Sequence, residues 1–280
     1  MSKTPAKEPG KSKSNKSSSV LSSKKSVRKA LGEEPSLIPE KYQDLLALGL
    51  LALLLIIFYW PVLFEGKIFF AADNTASFST KTFVSDAAKT GTFPLWFPYI
   101  FSGMPSYGSL MAGGDRSFDF LNQLWRIVIN AVTFVSKNPS TAWIIFYYFL
   151  FGAGLYALLR VKVGSPFHAL VGGIAGSFAT LSLVWITVGH NTKIVAVAMI
   201  PFALMLAERL RQKQGWKSFL LNVGLLAVLL NIQVRSTHVQ MIYYSFMAIG
   251  IYFLFELVSA LLKKEPIQIW ARSVGGFAIA

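Results

Sequence analysis

An all-α, polytopic transmembrane helix bundle is the fold class that the sequence predicts, and three observations predict it. Of the 280 residues, 54% are hydrophobic, yet the formal net charge is +14. The two values separate along the chain: the first forty or so residues are hydrophilic and long apolar runs dominate the rest. Stretches of about twenty uninterrupted apolar residues match the length of a helix crossing a bilayer and are rare in soluble domains. Lys and Arg, finally, concentrate in alternate connections between those runs, as the positive-inside bias requires.

The opening segment, Met1 to about Pro39, is rich in Lys, Ser and Pro and poor in aromatic and branched apolar residues. Such a segment buries too little surface to offset its ordering entropy, so residues 1–40 are expected to form a disordered basic cytoplasmic tail. Its lysines suit either nucleic acid or anionic headgroups. A tail resting near headgroups is the simpler reading, and no nucleic-acid partner is expected. The apolar region that follows starts too late and runs too long for a cleavable signal peptide. Gln43 to Phe64 therefore reads as a first span that also directs insertion. Residues 41–280 then form the transmembrane domain, with a first outer loop at 65–140.

Within that loop, Phe93-Pro94-Leu95-Trp96-Phe97-Pro98-Tyr99 resembles neither a flexible linker nor a span. Leu121 to Val135 has helical apolar spacing, with Asn122, Arg126 and Asn130 on a polar side, and is expected to lie in the membrane interface. Spans are expected at about Thr141–Leu159, Pro166–Val188, Ile194–Ala207, Ser218–Val234 and Val239–Leu262, the third of them short for a crossing. A last apolar stretch begins near Ser273 and stops with the chain. A helix ending midway through hydrocarbon would leave carbonyls unpaired, so the residues are expected to be the N-terminal part of a longer protein.

Arg160 and Lys162, then Arg209, Arg211, Lys213 and Lys217, then Lys263, Lys264 and Arg272 fall on one side if the N-terminus is cytoplasmic. The connections holding only Lys193 or Arg235 then face outside, together with the 65–140 loop. Three polar clusters meet on that side. In Ala71-Ala72-Asp73-Asn74, with Asp86 farther along, a carboxylate at the membrane boundary could act as a general base or simply cap a turn. In Gly189-His190-Asn191-Thr192-Lys193, a His and a Lys at a helix entry could hold a phosphate or sugar hydroxyl, or form an interfacial turn with a snorkelling lysine. The third cluster, Asn231 to Gln240, includes Arg235, whose planar fork suits phosphate oxygens, and His238; its alternative is a hydrated loop capping two helices. His168, near the cytoplasmic start of a span, is expected to be interfacial or packed. Gly172 and Gly176 mark a close helix-packing face. No phosphate loop, dinucleotide fingerprint or H-E-x-x-H is present, and the histidines are too scattered for zinc. The absence of cysteine excludes disulfides and thiolate chemistry.

Taken in order, Phe64-Glu65-Gly66-Lys67, Asp73-Asn74, Pro94-Leu95-Trp96, Gly103-Met104-Pro105 and Gly189-His190-Asn191-Thr192-Lys193 resemble the YfhO family of bacterial membrane proteins. Thr237-His238-Val239-Gln240-Met241-Ile242-Tyr243-Tyr244 adds to the likeness, with valine where the related His-Pro-Gln-x-x-Tyr-Tyr pattern has proline. The resemblance runs from about Asp44 onward and leaves out the basic tail. It implies a GT-C-like polytopic glycosyltransferase of the bacterial inner membrane. Such an enzyme moves a sugar from a polyprenyl-phosphate carrier to an extracytoplasmic polymer or lipid acceptor of the cell envelope.

By class analogy the catalytic carboxylate is Asp73. Lys193 and Arg235 would offset charge on the departing phosphate, and His190, His238 and Asn191 would position donor or acceptor. Trp96 and Tyr99 would stack on a sugar or, more simply, anchor the loop in the interface. No cofactor is expected, and a divalent cation is left open. Two other functions fit the same clusters: a transporter or flippase of a lipid-linked saccharide, and a non-catalytic scaffold in envelope assembly. A transporter would carry polar residues deep within its spans, whereas these spans are mostly apolar.

Overall fold

The computed structural model describes residues 38–92, 94–99, 101–106, 119–212, 214–236 and 238–280. The basic tail through residue 37, Phe93, Lys213, Thr237 and the side chain of Asn74 lie outside the described residues. Residues Leu45–Ala280 form a compact unit that holds the packed bundle. Among the described residues, five helical stretches are long and apolar enough to cross a membrane: Glu40–Phe58, Thr141–Val163, Pro166–Val188, Trp216–Val234 and Val239–Leu262. The chain is thus built as a multi-pass membrane protein.

Helix α1 (Glu40–Phe58) buries Ala47, Leu51 and Leu55, one residue per turn along a single stripe. Its other face leaves Leu46, Leu50, Leu53 and Ile57 exposed. In water so broad an apolar face would be a liability, whereas against lipid it costs nothing. Tyr59 and Pro61 end α1, and a short α2 (Trp60–Phe64) turns the chain aside, so the expected first span is broken at its far end.

Between α2 and the second span the chain makes three small elements and returns to where it left. Helix α3 (Ala72–Lys89) stands where only a turn or cap was expected around Asp73. Strands β1 (Trp96–Phe97) and β2 (Met104–Pro105) pair antiparallel, Trp96 opposite Pro105 and Phe97 opposite Met104. This minimal hairpin is a departure from a purely helical chain. Its turn passes through positive φ at Phe101, Ser102 and Gly103, and a side chain on Gly103 would strike the Trp96 indole. Helix α4 (Phe120–Thr133) is the expected amphipathic piece, capped by Asp119, which accepts from the Asn122 N–H at 2.9 Å. The segment then closes on itself: Ser136 Oγ and the Lys137 N–H both donate to the Leu63 carbonyl, at 3.0 and 2.9 Å.

Helix α5 (Pro139–Val163) meets α6 (Pro166–Ser177) through glycine. A methyl on Gly172 or Gly176 would run into Leu159 or Leu155, as the expected packing face requires. At Gly173 the approach is backbone on backbone: a Cβ there would lie 2.8 Å from the Gly152 carbonyl oxygen. The expected Pro166–Val188 span is interrupted after Ser177 and resumes as α7 (Thr180–Val188). Ser182 Oγ serves a carbonyl freed there, donating to that of Ala179 at 2.8 Å. Ser177 Oγ donates to the Tyr148 carbonyl at 3.1 Å and the Tyr148 hydroxyl to that of Ser182, tying both sides of the break to α5.

Helix α8 (Asn191–Arg211) is the axis of the bundle and packs against α5, α7, α9 (Trp216–Val234), α10 (Val239–Leu262) and α11 (Ile267–Ile279). It buries Ile194, Ala198, Met199, Ala203, Leu206 and Leu210. The segment expected to be short at Ile194–Ala207 gains a polar turn at each end. Its 21 residues make about 31 Å of helix, enough for a crossing. Helix α11 begins at Ile267, ahead of the expected Ser273, because Arg272 folds back on Gln214 and Phe219, and Ser273 donates to the Ala207 carbonyl.

Candidate functional site

The ends of α7, α8, α9 and α10 that carry His190, Asn191, Arg235 and His238 are where the sequence-selected residues converge. Gly189 makes this possible. It ends α7 at φ +87°, a conformation that costs glycine little, and the N–H groups of Gly189 and His190 both return to the Trp185 carbonyl. The chain therefore reverses in one residue and sets His190 at the head of α8.

There the His190 Nε2 lies 2.8 Å from Asp73 Oδ2, on the first turn of α3. The Asp73 side chain is 55% exposed and that of His190 39%, so the pair stands in an open, half-solvated position. An acid in the first turn of α3 is favoured by the helix dipole. Lys193 is the reverse case, a cation in the first turn of α8, where the dipole adds to its charge. This helix end is consequently electropositive and suited to an anion.

His238 heads α10 and its Nδ1 accepts from the Met241 N–H at 3.3 Å, which leaves the ring proton on Nε2. Burial, the charge on Lys193 and, to a lesser degree, His190 hold its pKa below the ordinary histidine value, while a hydrogen bond to backbone opposes them. The electrostatic coupling among Lys193, His190 and His238 joins two loops that the sequence left separate.

Arg235 follows α9 and its guanidinium is engaged by the Asp119 carboxylate, a residue sequence reasoning did not single out. The available signal was local: an Asp immediately before an amphipathic run is a helix cap. Asn191 opens α8. Asp86 does not join the group and pairs with Lys89 at 2.8 Å on the exposed face of α3. Trp96 rests over Gly103 in the hairpin, and Tyr99 meets Phe83 and Phe97 edge-on. His168 lies on the surface beside Ser165.

A second charged group was not expected. At the opposite end of the bundle, Glu208 lies 2.7 Å from Lys162 and 3.5 Å from Arg211, and Arg211 reaches Glu256. The Tyr252 hydroxyl donates to Glu208. Two cations and two carboxylates from α5, α8 and α10 thus neutralise one another. Among the described residues, no three His, Asp or Glu side chains gather as metal ligands.

Comparison with family models, with curated proteins and with solved structures returned no match.

Proposed function

We propose that the protein is a membrane glycosyltransferase that takes a sugar from a polyprenyl-phosphate carrier and passes it to an acceptor hydroxyl at the His190 end of the bundle. The observation that carries this reading is the Asp73–His190 contact at 2.8 Å. It joins the carboxylate that the YfhO and GT-C resemblance selects to a histidine far along the chain. His190 holds Asp73 Oδ2, and Oδ1 is left to take the proton of the attacking hydroxyl. The acceptor oxygen then bonds to the anomeric carbon as the carbon–oxygen bond to phosphate breaks, and the electron pair departs with the phosphate. Lys193 and the N-terminus of α8 offset that charge.

The membrane is the bacterial cytoplasmic membrane, with the N-terminus inside and the His190 end outside. The Lys and Arg of the short connections collect at the other end, and this bias is counted in cations, not net charge. The partition of polar groups to the two ends, with Leu206, Leu226 and Ile249 fully or almost fully buried between them, favours transfer on one side over transport through the bundle.

The test is sugar transfer in membrane vesicles from a radiolabelled polyprenyl-phosphate sugar, with wild type beside Asp73→Asn. Loss of a general base lowers the rate by about 10²- to 10⁴-fold. Equal transfer by both proteins removes Asp73 from the mechanism.

A further inference from the structure

Beside the Arg235–Asp119 pair lies a cavity of about 150 Å³. Its walls come from four helices: Trp125 and Arg126 of α4, Tyr147 of α5, Val195 of α8, and Asn231 with the adjoining Arg235 of α9. Two guanidinium groups therefore border one small space. The Trp125 Nε1–H donates to the Tyr147 hydroxyl at 2.7 Å, which leaves the hydroxyl proton of Tyr147 to give. Asn231 supplies the complementary group: its Oδ1 is shielded from solvent and accepts no hydrogen bond from the protein. An acceptor in that condition calls for a donor such as a hydroxyl.

One wall of the cavity is the amphipathic helix α4, whose exposed apolar side suits a membrane edge. Phe120, Leu124 and Ile127 of α4 are exposed, while Trp125 and Ile129 pack on the buried core. A ligand entering from the membrane edge would meet cations at headgroup depth. Asp119 makes the electrostatics conditional. Its Oδ1 caps α4 through the Asn122 N–H, and its Oδ2 is the atom that holds Arg235. The two functions use different oxygens, so Arg235 can change partner without uncapping the helix.

We propose that this cavity binds the phosphate of a hydroxyl-bearing anionic headgroup, and that Asp119 holds Arg235 until the phosphate exchanges for it. A phosphate matches the fork of a guanidinium better than a single carboxylate oxygen does. A headgroup hydroxyl satisfies Asn231. The site goes beyond the transferase reading, since binding here is measured without any transfer and does not involve Asp73.

The experiment uses the full chain in nanodiscs of phosphatidylcholine containing a small fraction of phosphatidylglycerol, which carries both a phosphate and hydroxyls. Native mass spectrometry counts the phosphatidylglycerol retained. Arg126→Gln, at an exposed position, should cut retention about tenfold, the value of one charge-assisted bond. Asp119→Asn keeps a capping side chain but removes the carboxylate charge that competes with phosphate for Arg235, and should raise retention several-fold. Retention unchanged by Arg126→Gln would overturn the site, and unchanged or lower retention in Asp119→Asn would overturn the exchange. Inorganic phosphate is then titrated against the bound lipid. Competition means that phosphate alone suffices, and persistent lipid means that the headgroup must arrive from the membrane. Both results uphold the site and separate its sources.

Discussion

The two ends of the bundle carry similar inventories of charge and use them in opposite ways. At one end Lys162, Glu208, Arg211 and Glu256 balance one another's charge, and the Glu208 and Glu256 side chains are only 16% and 10% exposed. At the other, Asp73 and His190 meet in the open, Lys193 stands against a helix dipole, and Asn231 leaves an acceptor unused. The first arrangement matches two cations with two carboxylates, whereas the second gives Lys193, among the described residues, no counter-charge beside its helix end. Charged residues near a membrane therefore do not mark a site by their presence; what marks it is an unfinished set of partners.

The comparison is broken most severely at the closed end. Replacing Glu256 by Gln leaves Arg211 short of an anion in a largely buried place, and thermal unfolding in detergent should register a loss of about 3 kcal/mol. A melting temperature unchanged from wild type would mean that the cluster does not clamp α5, α8 and α10. Gly173→Ala tests packing without charge: its new methyl meets the Gly152 carbonyl, and a loss of about 1–3 kcal/mol is expected. Gly224, with nothing within 4 Å, is the control, and its alanine variant should be neutral or slightly stabilised.

Acidification probes the open end more gently. The pKa of folded His238 lies below its ordinary value of 6.5, so folding favours the neutral ring. Its contribution is present above that ordinary value and is lost as pH falls through the depressed one. Lys193→Met should move the His238 titration, followed by NMR, towards higher pH and flatten the acid loss; an unmoved titration would detach Lys193 from this group. The smallest effect belongs to Asp73→Asn, whose half-exposed pair should change stability by no more than about 0.5 kcal/mol. A large loss of stability there would make Asp73 structural, like the closed end, and would blur the contrast.

Much of this was legible in the sequence for identifiable reasons. Apolar length located the spans, and helical spacing located α4 to within two residues at each end, because both signals are local. Gly172 and Gly176 pointed to the right face of α6. Their spacing could not reveal that Gly173 makes a backbone-on-backbone approach, since its partner Gly152 lies on another helix. The break after Ser177 was hidden because apolar residues run unchanged across it, and only Tyr148 and Ser182 mark it. Asp73 was visible as a loop carboxylate at the membrane boundary, and His190 and Lys193 as polar residues at a helix entry, but the pairing of Asp73 with His190 needed the fold. The Glu208–Glu256 cluster was missed for a different reason. Orientation is read from Lys and Arg alone, and a count that disregards acids cannot find a neutral group.

The glycine contact between α5 and α6 has a consequence for how the protein is made. Those two helices are consecutive, and only Gly164 and Ser165 separate them. Their interface closes a very short loop, so it can zip together while later residues are still on the ribosome. Helix α8, tipped with Lys193 and with Glu208 to Arg211, is a poorer candidate to leave the translocon for lipid by itself. It would instead emerge beside α5, its main partner in the bundle, already held in place by α6. The order of synthesis thus supplies the chaperone: the helix that membrane lipid would welcome least is the one delivered to a finished surface.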